Sequence, residues 1–143
     1  MKKSRKLSRK TQAPRRAASA KRAPIGAPKI GGPWATGGIY AGVSLENEHA
    51  VVLVLLPGEL EAADWKEATA WAGKQGGTLP SRIDQLVLFK NVKSEFQDAW
   101  YWSGEPSAGD ESSAWFQYFD HGYQSTNRKL TELRARAVRR IAI

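Results

Sequence analysis

Two helix-start signals in the middle of the chain, Asp64-x-x-Glu67 and Ser81-x-x-Asp84, constrain its fold more than any other feature. In each, a short polar side chain can accept from the backbone N–H three residues on, while the acid at that position reaches back to the cap. Gly76-Gly77 ends the first helix, and Pro80 stands just before the cap of the second. Trp65, Ala68, Trp71 and Ala72 recur at helical spacing, as do Ile83, Leu86, Val87, Phe89 and Val92, so each set is expected to face the core. Phe96 closes the second helix. Ahead of this pair, Gly38–Val43 reads as a short strand, and Ala50–Leu56 as a buried strand stopped by Pro57-Gly58. Strands, then two adjacent helices, then more strands predict an α+β domain rather than alternating βαβ units.

The strands after the helices are rich in aromatic residues. Trp100-Tyr101-Trp102-Ser103-Gly104-Glu105 and Ala114-Trp115-Phe116-Gln117-Tyr118-Phe119 are short aromatic runs bounded by Gly, Ser and Asp. Alternation puts Trp100 and Trp102 on one face and Tyr101 on the other. The tryptophans are assigned to the core, because each ring buries a large apolar area, and Tyr101 to an outward contact. Pro106–Ser113 reads as a polar loop, and Asp120-His121-Gly122 as a tight turn leading to Tyr123–Thr126. The final run, Glu132 to Ile143, is read as one strand. Its Arg134, Arg136, Arg139 and Arg140 are expected to pair with Glu105, Glu132 or the terminal carboxylate.

Charge divides the chain. Residues 1–29 hold eleven of the 22 Lys and Arg and no acid. The other eleven bases face all fourteen acids, leaving residues 30–143 at −3, so the overall +8 belongs to the N-terminal segment. Such a block repels itself and has little apolar surface to bury. Pro and Gly between Pro24 and Pro33 extend the irregular character. Residues 1–37 are therefore read as an extended basic Pro/Gly-rich arm, and 38–143 as the folded domain. Lys2, Lys3, Arg5, Lys6, Arg9, Lys10, Arg15, Arg16, Lys21 and Arg22 are the arm's candidates for electrostatic contact. Their partner is either an acidic surface on neighbouring subunits of an assembly or a nucleic-acid backbone, which such a segment would bind without sequence preference and with steep salt dependence. With no aromatic residue before Trp34, the arm offers no base stacking. Its prolines argue against the amphipathic helix of a mitochondrial presequence, and no hydrophobic stretch suited to a secretory signal follows it.

With no cysteine in the chain, disulfides, thiolate metal sites and cysteine nucleophiles are excluded. No run approaches the ~20 apolar residues of a membrane helix, so no membrane insertion is expected. Two histidines, His49 and His121, and no G-x-S-x-G leave few candidates for nucleophilic catalysis. The carboxylates Asp110, Glu111 and Asp120 read as solvated loop acids rather than a hydrolase pair, which needs a fixed separation. The expectation is a protein that is not an enzyme and needs no cofactor or metal.

Three segments taken together, Gly76-Gly77-Thr78-Leu79-Pro80-Ser81-Arg82, Trp100 to Glu105 and Glu132-Leu133-Arg134-Ala135-Arg136-Ala137-Val138-Arg139, with Leu88-Phe89 and Ala114-Trp115 between them, resemble a phage and prophage family. It is the family of the C-terminal domain of collagen-like bacterial surface proteins. That family is similar to the C-type-lectin-like fold shared with the variable proteins of diversity-generating retroelements and with formylglycine-generating enzymes. The resemblance covers about residues 38–141 and leaves the arm outside. It implies two helices packed on a twisted antiparallel sheet, a scaffold for display, and a place in a virion or the bacterial host cytoplasm. By the same resemblance the ligand surface falls on Gln117, Tyr118, Asp120, His121, Tyr123, Gln124, Ser125 and Asn127, and the ligand is a protein or a neighbouring subunit. The calcium motifs of sugar-binding lectins do not carry over: Glu105-Pro106-Ser107 replaces Glu-Pro-Asn, there is no Trp-Asn-Asp, and Glu105, Asp110 and Glu111 fall short of six to eight oxygen ligands. Formylglycine chemistry needs cysteines, and this chain has none.

Overall fold

A computed structural model describes residues 26–143; the arm bases from Lys2 to Arg22 lie outside the described residues. Strands β1 (Ile39–Glu46), β2 (His49–Leu55) and β3 (Leu60–Ala63) come first, followed by helices α1 (Trp65–Lys74) and α2 (Arg82–Val92). A 3-10 turn at Lys93–Glu95 then leads to β4 (Trp100–Ser107), β5 (Asp110–Tyr118), β6 (Tyr123–Arg128), β7 (Leu133–Ala135) and β8 (Val138–Ala142). The class is α+β, as the order of signals predicts. A three-stranded sheet runs β1-β2-β8 and a five-stranded one β3-β7-β4-β5-β6. The second sheet is mixed rather than antiparallel, because β4 and β7 pair in parallel at Tyr101 and Arg134.

Both capping boxes form. Asp64 accepts from the Glu67 N–H while Glu67 accepts from the Asp64 N–H, and Ser81 and Asp84 do the same for α2. Gly77 then permits a close backbone approach: a Cβ there would stand 2.2 Å from the Val138 carbonyl oxygen. The contact lets Thr78 exchange two backbone hydrogen bonds with Val138 and pins the inter-helix segment to β8.

Helix α1 buries Ala68 and Ala72 and half-buries Trp65 and Trp71, the expected stripe. Helix α2 follows its apolar pattern only in part: Val92 is buried and Val87 and Phe89 pack against the core, but the N-terminal part departs from it. Ile83 and Leu86 are 46% and 51% exposed, whereas Asp84, Gln85, Leu88 and Val92 face inward. Hydrogen bonds explain the rotation. Asp84 accepts from Ser44, the Ser81 amide and Arg140, and the Gln85 amide donates to the carbonyls of Tyr101 and Trp102. The ion pair of Asp84 and the bonds of Gln85 to two backbone carbonyls outweigh the burial of two aliphatic side chains.

Three further expectations need correction. Pro106–Ser113 is not a loop: β4 and β5 run through most of it and meet across Ala108-Gly109, with Ser107 paired to Asp110. The last run is two strands, not one. β7 joins the five-stranded sheet and β8 pairs with β2, with Arg136-Ala137 as the crossing. The arginines of this run find other partners than those expected. Arg134 pairs with Glu59, Arg136 donates to the carbonyls of Glu95 and Leu56, Arg139 to Thr36, and Arg140 to Asp84. Pro33 bridges to Ile39 and Trp34 stacks on Tyr40 at 5.7 Å, so residues just before Gly38 already pack on the domain.

Two apolar clusters fill the interior. One centres on Trp102 and Phe116 with the alanines of α1, Tyr40, Val52 and Val54. The other joins Leu53, Leu55, Leu88, Val92, Phe96, Tyr101 and Phe119. Strand β4 thus carries Trp102 into the first and Tyr101 into the second, and is covered on both faces there.

Candidate functional site

Strand register sorts the residues implied as a ligand surface into two sets. Trp100 pairs with Tyr118 and Tyr118 with Tyr123; Trp102 pairs with Phe116 and Phe116 with Ser125; Ala114 pairs with Asn127. Directly paired residues share a face, so Tyr118, Tyr123, Ser125 and Asn127 lie on one face together with Trp100. The intervening positions Tyr101, Gln117 and Gln124 are also paired to one another, and they occupy the opposite face, beneath α2.

On the α2 face the side chains are consumed internally. Gln117 is fully buried, donates to the Gln85 carbonyl and accepts from the Gln124 amide. Gln124 also donates to the Arg82 carbonyl and accepts from the Arg82 guanidinium. That guanidinium lies 3.4 Å from the centroid of the Trp115 ring. Tyr101 is not the outward contact that alternation suggested. Its ring is 1% exposed, and its hydroxyl donates to Glu59 and accepts from the Gln97 amide. Burial, reinforced by the Glu59 carboxylate, pushes the phenol up to about 12 against the opposing Gln97 bond. Arg134, whose own pKa is raised by Glu59, holds that carboxylate from the other side. Tyr101, Gln117 and Gln124 therefore brace the site rather than offer free polar atoms to a ligand.

The other face carries a connected row of rings. Trp100 stacks on Phe116 with centroids 4.8 Å apart and meets Tyr118 edge-on at 6.2 Å. Tyr118 meets His121 edge-on at 5.0 Å, and His121 lies nearly parallel to Tyr123 at 6.2 Å. Trp100 is 43% exposed and Tyr123 55% exposed, while Phe116 is buried beneath the row. Asp120 lies 3.6 Å from His121 in the turn that lifts both toward solvent. Ser125 and Asn127 continue the same face; the Asn127 side-chain oxygen accepts from the Arg128 amide and Thr131, so its amide nitrogen is the group left to a ligand.

Trp100 is the residue that alternation alone misplaces. It shares a face with buried Trp102, yet it is the first residue of β4, beyond the cover that Trp102 enjoys. Its register with Tyr118 and Tyr123 is the signal that would have found it.

No protein-family model matches this chain, and no curated protein matches it. The arrangement can do specific things chemically. It presents flat, partly wet aromatic faces next to a carboxylate, an imidazole, a hydroxyl and an amide. Among the described residues no helix is long and apolar enough to cross a membrane.

Proposed function

We propose that this chain is a non-enzymatic ligand-binding display module of phage type with a C-type-lectin-like fold, fastened to a larger assembly through its basic N-terminal arm. The ligand is a protein surface, and the module acts on a virion or in the bacterial host cell. The observation that carries the reading is the row Trp100, Tyr118, His121 and Tyr123, continued by Ser125 and Asn127. Tyr and Trp with Ser and Asn are the composition of protein-binding paratopes, because the rings bring large contact area with few rotatable bonds. Trp100, Tyr118 and Tyr123 sit on paired strands with their reverse side locked by Gln117 and Gln124, so this part of the face is preorganised, which reduces the ordering cost of binding.

The test uses the full chain, labelled, against intact cells and envelope fractions of the bacterium that carries the gene. Wild type should bind saturably, and Trp100→Ala with Tyr123→Ala should weaken binding at least tenfold. The variant, although less stable for want of the ring over Phe116, should stay folded by circular dichroism at the assay temperature. Equal binding by that variant, or binding that duplex DNA removes completely, would overturn the reading.

A further inference from the structure

A groove of about 450 Å³ lies away from the aromatic row, between α1 and the segment joining the helices. Trp65, Thr69 and Gly73 form one wall at positions i, i+4 and i+8 of α1; Leu79 stands opposite, and Glu105 of β4 and Arg140 of β8 complete it. Its charge balance is uneven. Arg140 is neutralised by the buried Asp84 at 2.6 Å and also donates to Thr78 and Leu79, with Glu46 at 3.8 Å. Among the described residues Glu105 has no cation within ion-pair distance: one oxygen accepts from the Arg82 amide at 2.8 Å, and the other has no hydrogen-bond partner there. The Arg82 guanidinium is committed to Gln124 and Trp115. The Trp65 ring already attracts one ammonium, that of Lys129 at 4.7 Å. Gly73 keeps the wall open. It sits in the last turn of α1 with an ordinary helical φ and nothing within 4 Å of a Cβ, although Gly there costs about 1 kcal/mol relative to Ala.

Apolar walls leading to an unneutralised carboxylate match a lysine or arginine side chain, whose aliphatic stem lies on apolar surface while its head seeks an acceptor. We infer that this groove is the seat of a basic side chain, and that the occupant comes from residues 2–22 of this polypeptide. That segment supplies ten Lys and Arg with no competing acid, against a domain of net negative charge. The inference concerns the arm and is independent of the aromatic face, so its failure would leave the ligand-face test untouched.

Zero-length carbodiimide crosslinking of the full chain at low salt, mapped by mass spectrometry, tests it. Glu105 should link to lysines among Lys2, Lys3, Lys6, Lys10 and Lys21 in excess over the exposed carboxylates Asp110 and Glu111. Gly73→Leu fills the groove while improving helix propensity; it should cut the Glu105 links at least tenfold and leave those of Asp110 and Glu111 unchanged. Links spread evenly over exposed acids, links at Glu105 indifferent to Gly73→Leu, or no links at all would overturn the inference. A second readout does not depend on that variant folding. The Trp65 indole N–H resonance of wild type should move as salt is raised, and in Glu105→Gln it should not. A wild-type resonance that ignores salt sinks the proposal.

Discussion

Asp84, entirely out of solvent in the first turn of α2, is gripped by the guanidinium of Arg140 on β8, with Nε at 2.8 Å and a terminal nitrogen at 2.6 Å. The Ser81 amide donates to the same carboxylate oxygen and Ser44 of β1 to the other. One buried acid thereby ties a helix cap, an edge strand and the last strand together.

Arg140→Met strands that carboxylate without its counter-charge. The expected loss is ~3–5 kcal/mol in urea denaturation, the range for breaking a buried pair from one side. Replacing both partners at once, as Asp84→Leu with Arg140→Met, should cost less than the two single losses added together, because no unpaired charge remains.

Tyr101 makes stability fall in alkaline solution. Its folded-state pKa of about 12 lies above the ordinary 10.0, so the unfolded chain loses its proton first. The stabilisation of the neutral phenol is complete below pH 10 and is lost as pH climbs towards 12, at up to ~1.4 kcal/mol per pH unit. Urea midpoints measured across that window should drop more steeply for wild type than for Tyr101→Phe.

The β1–β2 hairpin turns through Asn47 and Glu48 with φ of 50° and 67°, both left-handed. Two-residue hairpins favour this conformation, but a side chain with Cβ is strained in it, and Asn tolerates it better than Glu. Glu48→Gly should therefore raise stability by ~1 kcal/mol, read as a higher Tm with unchanged circular dichroism.

Leu86 and Leu88 should respond in opposite ways. Leu86→Lys, at a half-exposed position on the outer side of α2, should shift stability by no more than ~0.5 kcal/mol. Leu88→Ala, at a site with no exposure, should cost ~2–5 kcal/mol. Equal losses would mean that α2 is rotated from the orientation described.

What could be read from the sequence is local. Both capping boxes, the Gly76-Gly77 stop, the buried β2 run and the turn at Asp120-His121-Gly122 are short-range signals with a short-range physical cause, and each appears in the fold. Apart from the hairpin at Ala108-Gly109, whose polar composition reads as a loop, the failures are long-range. Hydrophobic spacing rotates α2 towards Ile83 and Leu86, because a pattern cannot know that Ser44 and Arg140 await Asp84. Strand β3, Leu-Glu-Ala-Ala, carries no β-branched or aromatic residue, and β7 is the one strand it pairs with among the described residues. Alternation correctly separates Tyr101 from its tryptophan neighbours, but it cannot say that both faces of β4 are covered at that point. For the same reason the implied ligand surface comes as one list, whereas strand pairing divides it, sending Gln117 and Gln124 inward and leaving Tyr118, Tyr123, Ser125 and Asn127 on the face of Trp100.

The split of the final run between two sheets has a consequence for how the molecule is made. β7 is an interior strand of one sheet, seated between β3 and β4, and β8 is the flank of the other. A nascent chain still lacking these strands holds a gap in the first sheet and a bare side on β2, with Asp84 awaiting its guanidinium. Neither sheet is complete without residues 133–142, so a chain cut before Leu133 should fail to reach the cooperative native fold.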